Sequence, residues 1–222
     1  MRSSGCCFCA ELAGERTAFH ELYRDHDSRL IVGGENFVVM PSLGQLAPGH
    51  SLLMPRQHVT SFGELDESLR AEALDLYEAW RRALSEHYSP TICFEHGSRS
   101  GATSGGCGIV HAHVHIVPLG GRRTPLPPSV GEGWREINGE RWLDDAASSA
   151  RHGAGYLMWH GPGDVAYLET ADDVPSQHLR RHVARHLGDA PWDWRTTGRQ
   201  RALAAMLSSP TRDALAIAGT GN

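Results

Sequence analysis

The stretch "IVHAHVHIVP", residues 109–118, puts His111, His113 and His115 on alternate positions with small or β-branched residues between them. Alternation is the period of a β-strand, so the three imidazoles are expected on one face, with Ala112, Val114 and Ile116 on the other. Neighbouring histidines in such a row lie ~6–7 Å apart and the outer pair ~13 Å apart. Two of them can therefore converge on one metal ion, whereas three in a straight row do so poorly. Attack on phosphorus suits the row better. A neutral imidazole is a good nucleophile near neutral pH once its other nitrogen is tied to an acceptor, and a second imidazole can protonate a leaving group. Just upstream, "SGGCG" (104–108) offers backbone N–H groups that can cradle phosphate oxygens. A strand of solvated histidines and a zinc hydrolase using two of the three remain alternative readings.

Working outward, "FHELYRD", "RLIVGG" and "NFVVMPSL" read as short strands that open an antiparallel sheet, and "GHSLLMPRQH" as a further strand ended by Pro55. Leu65, Leu69, Leu76, Trp80 and Leu84 recur at helical spacing, which predicts an amphipathic helix from Glu64 to about Tyr88, stopped by Pro90. "TICFEHG" is a strand and residues 98–108 form a Gly/Ser loop. The fold class expected is α+β, an antiparallel sheet flanked by one long helix. Residues 1–120 are read as the catalytic domain and 121–222 as an extension, with a Pro/Gly-rich linker at 120–134, then a hairpin and helices. The sequence shows no clear internal repeat.

All 21 basic residues are Arg, so Lys chemistry such as a Schiff base is excluded. A net charge of −5 gives no global drive toward nucleic acid or an anionic membrane. No apolar run approaches the ~20 residues needed to cross a bilayer, and "MRSSGCCFCAEL" lacks a signal-peptide core, which points to a cytoplasmic protein. Five cysteines, three of them at Cys6, Cys7 and Cys9, fit metal or redox chemistry better than a disulfide framework.

"HAHVHIV" resembles the signature of the histidine triad (HIT) superfamily of nucleotide hydrolases and transferases. "GHSLLMPRQH" resembles its strand ending in Pro-x-x-His, and "CCFC" the Cys-x-Phe-Cys of many bacterial members. The resemblance runs over residues 5 to 120. It implies that His113 attacks the α-phosphate to form a nucleotidyl-histidine, that His115 hydrogen-bonds the phosphate or leaving group, and that His50 faces the same site. It implies a structural zinc held by Cys6, Cys9, His58 and His111, a Cys₂His₂ set with no open position. Cys7 is then a bystander and Cys93 a core residue.

The chain departs from the family's pattern around the substrate. Ser42 and Leu43 stand where many members grip the ribose with an acidic residue, and Glu95 to Gly97 replace Asn-x-Gly. Gly106, Cys107 and Gly108 precede the triad in place of Gln or Ser side chains, leaving backbone donors for phosphate. His96 is expected to face solvent, and Arg99 is either a polyphosphate clamp or a loop charge. Arg180, Arg181, His182, Arg185 and His186 make a C-terminal helix basic, read first as a solvated face and second as a surface that reaches nucleotide or RNA. Trp192 and Trp194 are read as packing anchors. The activity expected is hydrolysis of a nucleoside phosphoanhydride, phosphoramidate or related nucleotidyl bond. Nucleotidyl transfer or phosphorolysis through the same intermediate is an alternative, as is a non-catalytic nucleotide- or RNA-binding module. The partners expected are a nucleotide or nucleotide conjugate, with no membrane. The resemblance further implies a homodimer unless the extension covers that face.

Overall fold

The computed structural model describes residues 5–99, 109–128, 133–172, 174–195, 200–208 and 212–213. Its elements are α1 (Cys7–Leu12), α2 (Ala18–Leu22), β1 (Val32–Gly33), β2 (Phe37–Pro41), β3 (Ser51–Pro55), α3 (Glu67–His87), β4 (Thr91–Gly97), β5 (Val114–Pro118), β6 (Arg135–Asn138), α4 (Trp142–Arg151), β7 (Tyr156–His160), β8 (Val165–Thr170), α5 (His178–His186) and α6 (Gln200–Leu207). The strands form one antiparallel eight-stranded sheet in the order β1-β2-β3-β5-β4-β7-β8-β6.

Helices cover both faces, which is why β2 and β3 are apolar along nearly their whole length and buried at every position. On one face α3 buries Ala73, Tyr77, Trp80 and Leu84, a stripe at helical spacing, against Val39, Leu53, Cys93, Val114 and Ile116. Trp142 and Ala146 of α4 extend that layer. On the other face Phe8 of α1 packs on Val38, Met40, Leu52 and Met54, and Leu179 and Val183 of α5 pack among Ile92, Phe94, Val117 and Trp159.

Several local expectations are corrected. "FHELYRD" is not a strand but carries α2, because His20 Nδ1 accepts from the Thr17 N–H at its start (3.1 Å) and Phe19 stacks on Tyr23 one turn later. The histidine stretch is strand only from Val114 onward, since Ala112 N–H bonds Val59 O (2.8 Å) instead of continuing the ladder. Ala112, Val114 and Ile116 still face the α3 core and the three imidazoles the opposite side, but of the histidines only His115 lies in the regular strand. Two elements of the second half, β6 and α4, carry no expectation from the sequence, and neither does α1 in the first. β6 buries only Ile137, too faint a pattern to read.

These two elements reveal a repeat of topology. From β3 the chain runs through a 3₁₀ turn (Phe62–Glu64), α3, β4 and β5; from β6 it runs through a 3₁₀ turn (Gly139–Arg141), α4, β7 and β8. The two units meet at β4 and β7, and the strand order is mirrored about that seam. One row across the sheet reads Leu52, His115, Phe94, Trp159, Tyr167, Glu136. Phe94 and Trp159 stack at the centre, 6.0 Å apart and 23° from parallel. Tyr167 thus occupies in the second unit the place that His115 holds in the first.

Gly97 closes β4 where a Cβ would come within 2.4 Å of the Tyr156 ring. That ring is pinned, because its hydroxyl donates to Glu95 Oε2 (2.6 Å) and accepts from Gly63 N–H (3.0 Å). Gly97→Ala should therefore cost about 1–3 kcal/mol, read as a lowered urea midpoint. An unchanged midpoint would mean that the Tyr156 ring yields.

Candidate active site

Backbone groups decide what each histidine can do. A carbonyl only accepts, so Nδ1 of His113, 2.7 Å from His111 O, carries the proton and donates it, which leaves the ring's basic lone pair on Nε2. Leu46 N–H donates to Nδ1 of His50 (3.0 Å), so His50 carries its proton on Nε2 and donates to Nδ1 of His115 at 2.9 Å. His115 must then bear its own proton on Nε2. Nε2 of His111 donates to Pro55 O (2.8 Å), which leaves its Nδ1 as a ligand atom.

Burial holds His50 and His115 well below the usual imidazole range, with the charge of Arg180 adding to the effect, so both are neutral near pH 7. His115 lies flat on Phe94 (4.6 Å, 22°) and meets the His113 ring edge-on at 4.9 Å. Phe8 presses edge-on against both His111 and His113. The first turn of the short helix α1 thus covers the histidines from the N-terminal side.

His113 and His115 form a wall shared by two concavities. The larger encloses about 510 Å³, open space included, between Phe8, Phe19, Leu43, Ser42 and Trp194. Glu11 and Arg29 also line it, joined by a paired contact at 2.6 and 2.8 Å that ties α1 to the end of β2, where Arg29 also donates to Pro41 O. The smaller lies between β4 and α5, lined by Phe94, His96, Gln177 and His178. His96 does not face solvent: it is half-buried there, and burial lowers its pKa to about 4.

A second cluster lies beside the first. Cys6 caps α1, its Sγ 3.5 Å from Cys9 N. Residues three apart share a helix face, so Cys-x-x-Cys presents both thiols together. Cys6 Sγ is 3.5 Å and Cys9 Sγ 3.6 Å from His111 Nδ1; His58 Nδ1 is 3.4 Å from Cys9 Sγ and 3.3 Å from His111 Nδ1. All four ligand atoms lie within 4.8 Å of one another, a group able to hold a metal ion.

The structure therefore gathers His113, His115, Ser42 and Leu43 around the clefts, leaves His50 fully buried behind His115, and brings Cys6, Cys9, His58 and His111 around a point beside them. Glu95 is not brought to the clefts. It lies on the α3 side of the sheet, where Oε1 accepts from Phe62 N–H (2.8 Å) and Oε2 from Tyr156. Gly97 is the tight contact with Tyr156 described above. Gly106, Cys107 and Gly108 lie outside the described residues. Cys93 is wholly buried in the core and Cys7 is exposed at the mouth of the larger cleft. Arg180 departs most from its expected place. It is not on a solvated face but 2% exposed, and it lines both concavities. The sequence signal for it was weak, a single Arg at the buried phase of an otherwise basic helix.

No protein-family model matches the chain. "Protein hit" of Bacillus subtilis strain 168 is 23% identical over 123 residues, which covers 54% of this chain and 74% of that protein. The resemblances are to histidine triad proteins. Among solved structures, a member of the HIT family from Bacillus subtilis matches at 19% identity and TM-score 0.43, covering 67% of this chain and 96% of the other. A Zn-bound histidine triad family protein from Mycobacterium smegmatis matches at 22% and TM-score 0.38, covering 67% and 96%. No helix among the described residues is long and apolar enough to cross a membrane.

Burial pushes the Glu95 carboxyl up from 4.5 to about 7. Between those values the folded chain holds a proton that the unfolded chain has released. The stability contributed by this group is thus complete below about 4.5 and lost as pH rises through about 7. Glu95→Gln keeps an acceptor for Phe62 N–H and removes the titration. Relative to wild type, it should remove a downward slope of up to about 1.4 kcal/mol per pH unit in this window, measured by urea unfolding at several pH values. Parallel curves for the two proteins would contradict it.

Proposed function

We propose that the chain is a histidine triad enzyme that cleaves a nucleotidyl bond through His113. The observation that carries this reading is the 2.7 Å contact between His113 Nδ1 and His111 O, which fixes the tautomer with the nucleophilic lone pair on Nε2. In the first step Nε2 forms a bond to the α-phosphorus. The bond from phosphorus to the leaving group breaks, and its electron pair departs with that group, which takes a proton from solvent. The imidazole then carries positive charge, stabilised by the carbonyl dipole at Nδ1. In the second step water attacks the phosphorus, releases its proton to solvent, and the N–P electron pair returns to Nε2. His115, neutral and protonated on Nε2, donates a hydrogen bond to a phosphate oxygen in both steps. The apolar larger cleft receives the nucleoside. Capture of the intermediate by phosphate or another acceptor in place of water would make the same site a transferase, and product analysis with and without phosphate separates the two.

The four-residue cluster fits a structural zinc. Tetrahedral zinc with Zn–N near 2.05 Å and Zn–S near 2.3 Å requires N···N edges of about 3.4 Å and N···S edges of about 3.6 Å. The N···N edge here is 3.3 Å, three of the N···S edges are 3.4–3.6 Å, and all six lie within 4.8 Å. The Pro55 carbonyl on His111 Nε2 is the outer partner that orients a histidine ligand. Burial and the neighbouring Cys9 push the Cys6 thiol up to about 11, so the thiolate form depends on a bound cation. With all four positions taken by protein, the ion would tie α1 to the strand end at Pro55 and to the triad, and supply no open coordination site for the reaction.

His113→Ala should lower turnover by about three orders of magnitude or more while shifting the melting temperature little. Acid-quenched wild type should carry a nucleotidyl adduct by mass spectrometry that the variant lacks. Full activity in His113→Ala on a substrate that wild type turns over would overturn the mechanism. Elemental analysis should find about one zinc per chain. Chelation should lower the melting temperature, and Cys9→Ser should bring both the metal content and the melting temperature down. A chain free of metal that melts as before contradicts the zinc assignment.

A further inference from the structure

The leaving group of the proposed reaction needs a place on the same wall as the nucleophile, and the smaller cleft offers one. It shares His113 and His115 with the larger cleft and encloses about 290 Å³, open space included, against about 510 Å³. The register of the sheet brings His96 into it beside the nucleophile. Phe94 and His115 are cross-strand partners, and two positions on, past the last ladder pair, stand His96 on β4 and His113 just before β5. Strands lie ~4.8 Å apart and every second residue shares a face, so the two imidazoles line the cleft as neighbours. The His113 ring is close enough to add to the lowering of the His96 pKa.

Two features of this cleft point to a ligand. The His96 ring makes no hydrogen bond among the described residues, and in its neutral form it offers one N–H donor and one lone pair. Nε2 of His178, at the start of α5, is buried with no hydrogen-bond partner. A buried ring nitrogen left unpaired is unfavourable, and a bound polar group relieves it. The orientation of His96 is fixed from the other face of β4. There Glu95 accepts from Phe62 N–H and from Tyr156, so alternation along the strand turns His96 toward the cleft. Its partner on β7 is Leu157, which joins Phe94 and Trp159 in an apolar floor. A hydrogen bond made over such a floor is stronger than one made in water.

We propose that the smaller cleft is the leaving-group subsite and that a ring N–H of His96 donates a hydrogen bond to the departing atom. As the bond from phosphorus breaks, that atom receives the electron pair, and the His96 N–H stabilises it until it takes its proton from solvent. The rest of the leaving group lies on Phe94, with a polar atom against Nε2 of His178. The class that fits is a compact group, smaller than the nucleoside, with an apolar face and a hydrogen-bonding atom. This rests on the nucleotidyl-bond reading above, and the experiment separates the failure of one from the failure of the other.

The experiment measures kcat/KM of the full chain on ribonucleoside 5′-phenyl phosphates whose ring substituents grade the departing phenol from acidic (p-nitro) to weakly acidic (p-methyl). This constant reports the step in which the phenol leaves, and a hydrogen bond to the departing oxygen matters most where that oxygen is most basic. His96→Leu should lose about 100-fold on the p-methyl ester and less than about 5-fold on the p-nitro ester. The plot of log(kcat/KM) against phenol pKa should therefore steepen, and His96→Gln, which keeps an N–H donor, should fall between the two. General damage to the site lowers all esters alike. A folded His96→Leu chain whose slope is unchanged or shallower overturns the proposal and leaves the nucleotidyl reading standing. A wild type that cleaves none of the esters overturns the nucleotidyl reading and the role of His96 with it. If His96→Leu does not fold, the ring nitrogen resonances of His96 are followed in the His113→Ala chain as the p-methyl ester is added. They must move, and resonances that stay in place overturn the proposal.

Discussion

The Nδ1–H of His113 donates to the carbonyl of His111, two residues earlier in its own chain, and the chemistry proposed for the site depends on that bond. It leaves the basic lone pair on Nε2 and offers a dipole to the charge that develops on the ring. The same principle runs through the neighbouring imidazoles. Pro55 O takes Nε2 of His111 and directs Nδ1 to the thiols, while Leu46 N–H takes Nδ1 of His50 and so sets the proton on each ring as far as His115. Four imidazoles within a few ångströms thus acquire different roles through different backbone partners. The bonds require the chain before Val114 to leave the regular ladder, so the break in the strand is a condition of the site.

Holding those partners in place falls to three separate parts of the molecule. Phe8 presses on His111 and His113 from α1, and the Glu11–Arg29 pair moors that helix to the end of β2. Phe94 supports His115 from the centre of the sheet, where it also stacks on Trp159 of the second unit. The mirrored strand order gives β4 a partner on both edges, so the strand beneath the site is an interior strand. The second unit repeats the arrangement of elements and carries Tyr167 at the place of His115, so the matching position in the sheet lacks an imidazole.

Charge is distributed unevenly around the clefts. Burial keeps His50, His96 and His115 in the neutral form, so these three imidazoles add no cations around the clefts. Arg180 lines both clefts, and the Arg29–Glu11 pair lines the larger one. Glu95, on the opposite face of the sheet, keeps its carboxyl in a hydrogen-bonded core position between β4, β7 and the turn before α3.

The long helix, most of the strands and the grouping of His111 with Cys6, Cys9 and His58, apart from His113 and His115, were legible in the sequence. Helical spacing exposes α3, runs of β-branched and aromatic residues expose β2, β3 and β4, and the resemblance of Cys-x-x-Cys and Pro-x-x-His to the histidine triad pattern points to the Cys6, Cys9, His58 and His111 cluster. These signals lie within a few residues of one another. Glu95 was not legible, because alternation along β4 says only that Glu95 and His96 point to opposite faces, and not which face carries the clefts. Nor was β6, whose single buried residue leaves no pattern. The inward turn of Arg180 depends on Ser42, Gly44 and Trp192, up to 138 positions away in the chain. The sequence by itself determined which side chains could do chemistry. Only the tertiary structure decided the proton position on each imidazole and the inward placement of Arg180, because both depend on backbone groups brought together from distant parts of the chain.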